Sequence, residues 1–487
     1  MAWGACALLL LLLLLVLGGG GVHCLEVTRS RRALQRRHHL RSRAESGATI
    51  LELRHHGGGG YYGSSGKSGR RSREEELGSL FSSDAARVSS LQRRAGGAGG
   101  SWAEDEAAAA TRRVPVTSGA RLRTLNYIAT VGLGGGEATV IVDTASELTW
   151  VQCAPCASCH DQQDPLFDPA SSPSYAVLPC NSSSCDALQV ATGSAAGTCG
   201  GEQPSSSSSC SYTLSYRDGS YSQGVLAHDK LSLAGEVIDG FVFGCGTSNQ
   251  GPFGGTSGLM GLGRSQLSLI SQTMDQFGGV FSYCLPLKES ESSGSLVLGD
   301  DTSVYRNSTP IVHTSMVSDP LQGPFYFVNL TGITIGGQEV ESSGFSAGKV
   351  IVDSGTIITS LVPSVYNAVK AEFLSQFVEY PQAPGFSILD TCFNLTGFRE
   401  VQIPSLKFVF EGNVEVEVDS SGVLYFVCLA LASLKSEYET SIIGNYQQKN
   451  LRVIFDTLGS QIGFAQETYP TVDHPVHIDK KKHNTKL

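Results

Sequence analysis

Apolar residues in this chain come in short runs, and two of the runs end the same way. Ile141-Val142 stops at Asp143 and continues Thr144-Ala145-Ser146. Val350-Ile351-Val352 stops at Asp353 and continues Ser354-Gly355-Thr356. Each is β-branched, then a carboxylate, then hydroxyl, small, hydroxyl. Leu125 to Val131 predicts a strand, Gly132 to Gly136 a turn, and Ala138 to Val142 the returning strand that delivers Asp143. Tyr212 to Tyr216 alternates, Arg217-Asp218-Gly219-Ser220 turns, and Tyr221 returns, which predicts a hairpin. Downstream of each Asp run lies an apolar stretch meeting glycine: Gly258-Leu259-Met260-Gly261 after the first, Ser441-Ile442-Ile443-Gly444-Asn445 after the second. The same order twice indicates an internally duplicated, all-β body.

The residues before this body have another texture. Residues 25–125 alternate Arg, His and Gly runs, and their best helical pattern places Phe81, Ala85, Val88 and Leu91 on one face, starting at Ser82-Ser83-Asp84. Ahead of them, Ala5 to Leu17 is an apolar run followed by small residues. It predicts a signal peptide over residues 1–24, and is too short for a membrane span. Residues 469–487 form a polar, basic tail without a lipid-anchor signal.

Charge sharpens this division. Residues 25–125 carry 19 Lys and Arg against 10 Asp and Glu, and residues 126–487 carry 16 against 35. A basic leader before an acidic body predicts an intramolecular cap. Nucleic acid is not the expected partner, because the arginines are broken by Gly and Ser and lack interleaved aromatics. Gly66-Lys67-Ser68 is no phosphate-binding loop, since Tyr61 stands where glycine is required. The glycines at 132–136 precede a strand, not a helix, and so form no dinucleotide fingerprint.

Eleven of the 13 cysteines lie between Cys153 and Cys428, and seven of them crowd the insertion 153–210. Cys156-Ala157-Ser158-Cys159-His160 fits a haem-attachment or half-zinc pattern, but the crowding and a secretory route favour disulfides. Sequons at Asn181, Asn307, Asn329 and Asn394 fit that route. An odd count leaves one thiol outside any disulfide.

Two Asp carboxylates brought together across a twofold axis cannot both ionise easily, so they share a proton. The ionised member takes a proton from water while the protonated one donates to a carbonyl oxygen, which predicts direct hydration of an amide. Ser146 and Thr356 are placed to hold the outer carboxylate oxygens, and Thr144 and Ser354 to bond across to the opposite loop. No nucleophile elbow and no His-Glu-x-x-His competes with this reading.

Over about Asn126 to Ala465 the chain resembles the pepsin-like aspartic proteases, and within them the plant nepenthesin-like branch. Asp143-Thr144-Ala145-Ser146 and Asp353-Ser354-Gly355-Thr356 match the paired catalytic loops. Trp150 matches the family's flap-bonding Trp, and Tyr216, Asp218 and Gly219 its flap. Phe243-Gly244-Cys245-Gly246, Phe281-Ser282-Tyr283-Cys284 and Ile443-Gly444-Asn445-Tyr446-Gln447-Gln448 match further landmarks. In the leader, Asp84, Arg87, Leu91 and Arg94 resemble a prosegment pattern of the same branch.

The resemblance implies a bilobal acid-protease fold with the cleft between pseudo-twofold lobes: a signal peptide 1–24, a prosegment 25–125, an N-terminal lobe 126–310, a C-terminal lobe 311–468 and the tail 469–487. It implies a secreted zymogen of an aspartic endopeptidase acting on peptide or protein substrates as a monomer. No cofactor, metal or membrane anchor is expected, and the apoplast is favoured over the vacuole. A Cys392–Cys428 disulfide is also implied. The alternative is a non-catalytic binding protein on the same fold, such as an inhibitor of a glycoside hydrolase. Two departures stand out. Ala145 replaces the usual Gly of the first loop, where a methyl strains the backbone if φ is positive and otherwise crowds the dyad. The branch also commonly has a Cys just after Gly463-Phe464-Ala465, absent here.

Overall fold

The Asp strand Gly136–Asp143 pairs antiparallel with Tyr127–Leu133 on one side and parallel with Gly258–Gly261 on the other. Leu259 in turn faces Trp150, antiparallel. The second half repeats this geometry. Lys349–Val352 runs antiparallel to Phe327–Ile335 and parallel to Ser441–Ile443, and Ile442 faces Ser360, antiparallel. In both halves the apolar-Gly strand is held between the Asp strand and the strand that follows it. The burial pattern explains the sequence texture: Ala138 to Asp143 and Val350 to Val352 are buried on both faces, so these runs are continuously apolar rather than alternating.

The computed structural model describes residues 48–52, 73–94, 110–188, 199, 208–215, 220–287, 293–305, 308–317 and 325–467. The chain divides into two units, Met1–Thr49 and Ile50–Leu487, and both Asp strands belong to the second. Among the described residues, a 14-stranded sheet contains the first Asp strand and also Leu451–Asp456 and Gln461–Gln466 from the chain's end. An 8-stranded sheet carries the second Asp strand. The helix Pro363–Gln376, opened by proline, buries Val365, Tyr366, Val369 and Phe373 at helical spacing beneath the second half.

The structure corrects two expectations, on the start and the face of the leader helix, and adds a strand. The leader helix is Arg73–Arg94, so it begins nine residues before Ser82, with Glu74, Glu75 and Glu76 in its first turn where they complement the helix dipole. Ser82 does not cap it: its hydroxyl donates to the Gly78 carbonyl within the helix. Phe81, Val88 and Leu91 are buried as one face, but Ala85 is only half-buried. Finally, Arg112–Ser118, inside the stretch read as leader, is a strand of the large sheet, paired with Gly294–Leu298 and with Tyr127–Leu133. Its Arg-Arg-Val-Pro-Val sequence hides it, since a proline lowers strand propensity.

The cysteines form disulfides: Cys153–Cys245, Cys156–Cys159, Cys180–Cys199, Cys185–Cys210 and Cys392–Cys428. The sulfurs of Cys180, Cys185 and Cys199 cluster within 4.8 Å of one another, but each is committed to a disulfide and offers no thiolate to a metal. His160 turns its Nε2 to the Thr256 carbonyl at 2.8 Å and packs its ring near Phe253. The eleventh cysteine, Cys284, is buried and in no disulfide. Its Sγ lies 3.8 Å from the carbonyl of Glu467, in the segment where the resembling branch carries its extra Cys. There Glu467 forms a fully buried ion pair with Arg452, at 2.7 and 2.9 Å.

Candidate active site

Asp143 ends its strand and Asp353 directly follows its own, at the meeting of the two halves, and both are fully buried. Each carboxylate is held by its own loop. Ser146 donates to Asp143 Oδ2 at 2.7 Å and the Ala145 N–H to Oδ1 at 3.0 Å. Thr356 donates to Asp353 Oδ2 at 2.5 Å and the Gly355 N–H to Oδ1 at 2.8 Å. The loops are locked to each other by a reciprocal set. Thr144 N–H donates to Ser354 Oγ at 3.1 Å, and Ser354 N–H to Thr144 Oγ1 at 3.0 Å. Thr144 Oγ1 reaches the Val352 carbonyl at 3.2 Å, and Ser354 Oγ the Val142 carbonyl at 2.9 Å. Every donor and acceptor of these two hydroxyls' bridge is buried, where a made hydrogen bond is worth most and a lost one costs most.

Further support comes from the apolar-Gly partners. Asn445 Nδ2 donates to the Ser354 carbonyl at 3.0 Å, and Gln448 Nε2 to the Asp353 and Ile443 carbonyls at 3.2 and 2.8 Å. Tyr283 donates to Gln448 Oε1 from the first half. Gln447 Oε1 takes the Thr359 hydroxyl at 2.6 Å. Trp150 is fully buried, edge-on to Phe253 at 5.0 Å. Tyr216, Asp218 and Gly219, expected to form a flap, lie outside the described residues. The strands leading to them, Ser211–Ser215 and Tyr221–Leu233, pair antiparallel as a hairpin.

A third charge occupies the centre. Arg87 of the leader helix places Nη2 2.7 Å from Asp143 Oδ1 and 3.1 Å from Asp353 Oδ2, so a single nitrogen bridges both carboxylates. Its Nε lies 3.3 Å from Thr356 Oγ1. One turn earlier, Asp84 accepts the N–H groups of Ile357 and Ile358 at 2.7 and 2.9 Å, satisfying the backbone just past the second loop. Phe81 fills a pocket against Tyr425 and Phe386, with ring centroids 4.8 and 6.1 Å away. Gln92 exchanges two hydrogen bonds with the Thr440 backbone, and Arg94 donates to the Ala145 carbonyl at 3.0 Å. The leader helix therefore lies along the dyad, touching both loops.

Burial pushes the Asp353 carboxyl up; the Arg87 guanidinium opposes this and the neighbouring Asp143 charge adds to it. Burial also raises Asp84 to about 7, against the pull of its two N–H donors and of Arg87. The backbone at Ala145 is not in the left-handed region, so its methyl adds no φ strain, and the side chain is fully buried beside Asp143. Gly355 is less tolerant: a Cβ there would lie 2.4 Å from Asp143 Oδ1 and 2.5 Å from Arg87 Nη2. The role of Arg87 at the dyad was not legible from its place in a leader pattern; its one signal was a cation on the buried helix face.

Residues 127–300 match the family model described as xylanase inhibitor N-terminal, and residues 325–466 the one described as xylanase inhibitor C-terminal. An aspartyl protease family protein of Arabidopsis thaliana is 42% identical over 363 residues, covering 72% of this chain and 74% of that protein. The aspartic proteinase nepenthesin-1 of Nepenthes gracilis is 35% identical over 345 residues, covering 67% and 74%. Among solved structures, basic 7S globulin from soybean aligns with a TM-score of 0.58 at 20% identity, over 74% of this chain and 96% of that one, a likeness of fold alone. This chain belongs to the plant aspartyl proteases, in the nepenthesin-like branch of the pepsin-like aspartic endopeptidases.

Proposed function

We propose that Asp143 and Asp353 are the catalytic dyad, and that the chain is made as a secreted zymogen silenced by its leader helix. The observation that carries this is the single Arg87 nitrogen shared by both carboxylates. With the leader gone, the two acids lose their counter-cation, and one proton shared between them replaces it. The two carboxyls titrate as a unit, and the one that holds the shared proton donates it to the scissile carbonyl oxygen. The other, ionised, takes a proton from the attacking water. The Ser146 and Thr356 hydroxyls hold the outer oxygens and so aim the inner ones.

The substrate is a peptide or protein, cut by a monomer without nucleic acid, metal or membrane anchor. Five disulfides fit an oxidising compartment, and the apoplast is favoured over the vacuole. Among the described residues no helix is long and apolar enough to cross a membrane. Asn181 and Asn394 are exposed and suited to glycosylation; Asn329 is half-buried and donates to Glu411 at 2.8 Å; Asn307 lies outside the described residues. Tyr216, Asp218 and Gly219 are assigned to the substrate flap, and Trp150 to its support. Since the strand Arg112–Ser118 is part of the sheet, maturation cuts between Arg94 and Ala110. The two family descriptions name inhibitors, but a binding protein has no need of a dyad with every loop hydrogen bond in place.

Acid incubation of the purified precursor, with N-terminal sequencing and a denatured-protein substrate, tests the scheme. The expected result is self-shortening to a start within that window, and cleavage near pH 3–5, roughly the range of such dyads. Asp143→Asn and Asp353→Asn each abolish both. Full activity in either variant would refute the assignment.

A further inference from the structure

Two fully buried tyrosines link the halves, and each ends at a group that holds the other half's loop. Tyr283 stands on the first-half strand Val280–Cys284, opposite Val453. Its hydroxyl donates to Gln448 Oε1, and Gln448 Nε2 donates on to the Asp353 and Ile443 carbonyls at 3.2 and 2.8 Å. Tyr326 lies beside the second Asp strand, where its carbonyl accepts the Val352 N–H at 3.0 Å. Its hydroxyl meets the Leu262 and Gly263 carbonyls of the first half, at 2.8 and 3.3 Å. Leu262 N–H donates to the Asp143 carbonyl at 2.9 Å, and Gly263 N–H to the Ser146 carbonyl at 2.9 Å. Both tyrosine rings pack against Phe455, with centroids 5.6 and 4.5 Å away. Burial holds both phenols well above the ordinary tyrosine range, so each stays a protonated donor.

A peptide group is planar, so a carbonyl and the N–H of the next residue lie in one plane. A donor on the Asp353 carbonyl therefore also aims the Ser354 N–H, the group that bonds Thr144 Oγ1 at 3.0 Å. In the first loop, the Leu262 N–H on the Asp143 carbonyl likewise aims the Thr144 N–H at Ser354 Oγ, 3.1 Å away. The two loops are held alike but by different chemistry. The Asp143 carbonyl is held by a main-chain N–H. The Asp353 carbonyl is held by a side-chain amide, and that amide has to be turned the right way. Reversed, Gln448 Oε1 would face two carbonyls, and buried acceptors left without a donor are costly. The Tyr283 hydroxyl, donating to Oε1 from the far side, selects the working orientation. We propose that Tyr283 and Gln448 act as one unit to position the second acid, and that Tyr326 positions the first through Leu262 and Gly263, so that each acid of the dyad is kept in register by a hydroxyl from the opposite half. The inference rests on the dyad assigned above.

The test is a mutant cycle on acid-processed enzyme, with kcat and KM measured on one quenched peptide at fixed pH and well below the Tm of each variant. Tyr283→Phe and Tyr326→Phe keep the rings and their packing on Phe455 and remove only the hydroxyls. Each is expected to lower kcat about tenfold, for a loop shift of a fraction of the roughly 1 Å that costs about a hundredfold. KM stays unchanged, because the loss falls on the transition state. Gln448→Met lowers kcat by a similar factor. In the Gln448→Met background Tyr283→Phe costs nothing more, whereas Tyr326→Phe still lowers kcat as it does alone. A tyrosine with a merely structural role would lower Tm and leave kcat in place. An unmoved kcat in either Tyr283→Phe or Tyr326→Phe, a rise in KM in place of the fall in kcat, or an equal further loss for Tyr283→Phe once Gln448 is replaced overturns the proposal. If Gln448→Met does not fold, Tyr283→Phe and Tyr326→Phe decide alone, since kcat has to fall in both. Cleavage of no peptide by the wild type would instead remove the protease reading beneath it.

Discussion

Replacing Arg87 by Met is the sharpest perturbation of the silent state. Methionine keeps much of the aliphatic stem and removes the cation. Arg87 is 14% exposed and both its partners are fully buried. At the observed separations, 2.7 and 3.1 Å, each attraction is about 5–6 kcal/mol at an effective dielectric near 20, before the desolvation that offsets most of it. Removing one partner of a buried pair costs about 3–5 kcal/mol, since the remaining charge is stranded. Here two carboxylates are stranded, but they can share a proton, so the lower half of that range applies. Docking of the helix should weaken by about two orders of magnitude, at 1.4 kcal/mol for each tenfold. The remaining anchors, Phe81, Asp84 and Gln92, are untouched, so the helix stays near and the dyad is intermittently free. The assay is the initial rate of the uncleaved precursor on a quenched peptide, at a fixed pH above the range in which wild type shortens itself. Rates are taken before any shortening shows on a gel, with an Arg87→Met, Asp353→Asn chain as blank. A leak about a hundredfold above wild type is expected. An Arg87→Met precursor as silent as wild type, with amides of residues 73–94 exchanging no faster, would refute the role of this cation.

Gly355→Ala should cost at least a hundredfold in kcat/KM, roughly the effect of displacing a reacting group by 1 Å, because its Cβ would meet Asp143 Oδ1 at 2.4 Å. Ala145→Gly, at an ordinary φ, should change kcat/KM little and lower stability by about 0.5–1 kcal/mol through unfolded-chain entropy, read as a small fall in Tm. Asp84 and Arg87 should oppose each other in acid. The Asp84 carboxyl rises from 3.8 in the free leader to about 7 when docked, so docking takes up a proton; this contribution is complete below 3.8 and lost as pH rises through 7. Arg87 instead lowers Asp353, so its contribution is lost as pH falls. Asp84→Asn, which leaves one of two N–H donors without an acceptor, should therefore shift acid self-processing to higher pH, and an unchanged midpoint would count against it. Arg452→Met strands the fully buried Glu467 and should destabilise the fold by about 3–5 kcal/mol, measured by denaturant unfolding.

The parts of this molecule that could be read along the chain are those whose partners are repeats of themselves. Asp143 and Asp353 announce each other because each ends a β-branched run with the same hydroxyl spacing, and the strands at 258 and 441 repeat a second relation at similar distances. Two-faced burial wrote both strands as continuous apolar runs. Heterologous contacts leave no such mark. Arg112–Ser118 is a strand by virtue of neighbours at 294–298 and 127–128, not by its own propensity. The helix start at Arg73 is set by glutamates that suit a dipole, whereas Ser82 to Asp84 only imitates a cap; Asp84 instead caps backbone 273 residues away. The eleventh cysteine could be counted but not named, because only the fold lays Cys284 against Glu467.

Glu147 is the extreme case. Beside Asp143 and among hydroxyls it reads as one more loop acid, and nothing in its neighbours marks it as buried. Only the fold buries it, and there burial raises its carboxyl while the charge of Arg94, 53 residues earlier, pulls it down. The two arginines then differ in kind. Arg87 meets carboxylates that have catalytic work once it leaves, and a shared proton takes its place. Glu147 is held by its own lobe as well, accepting the Ser265 N–H at 2.5 Å. On the proposed reading the leader helix plugs the dyad through Arg87, and Arg94 reaches past it to the Ala145 carbonyl and the Phe325 ring.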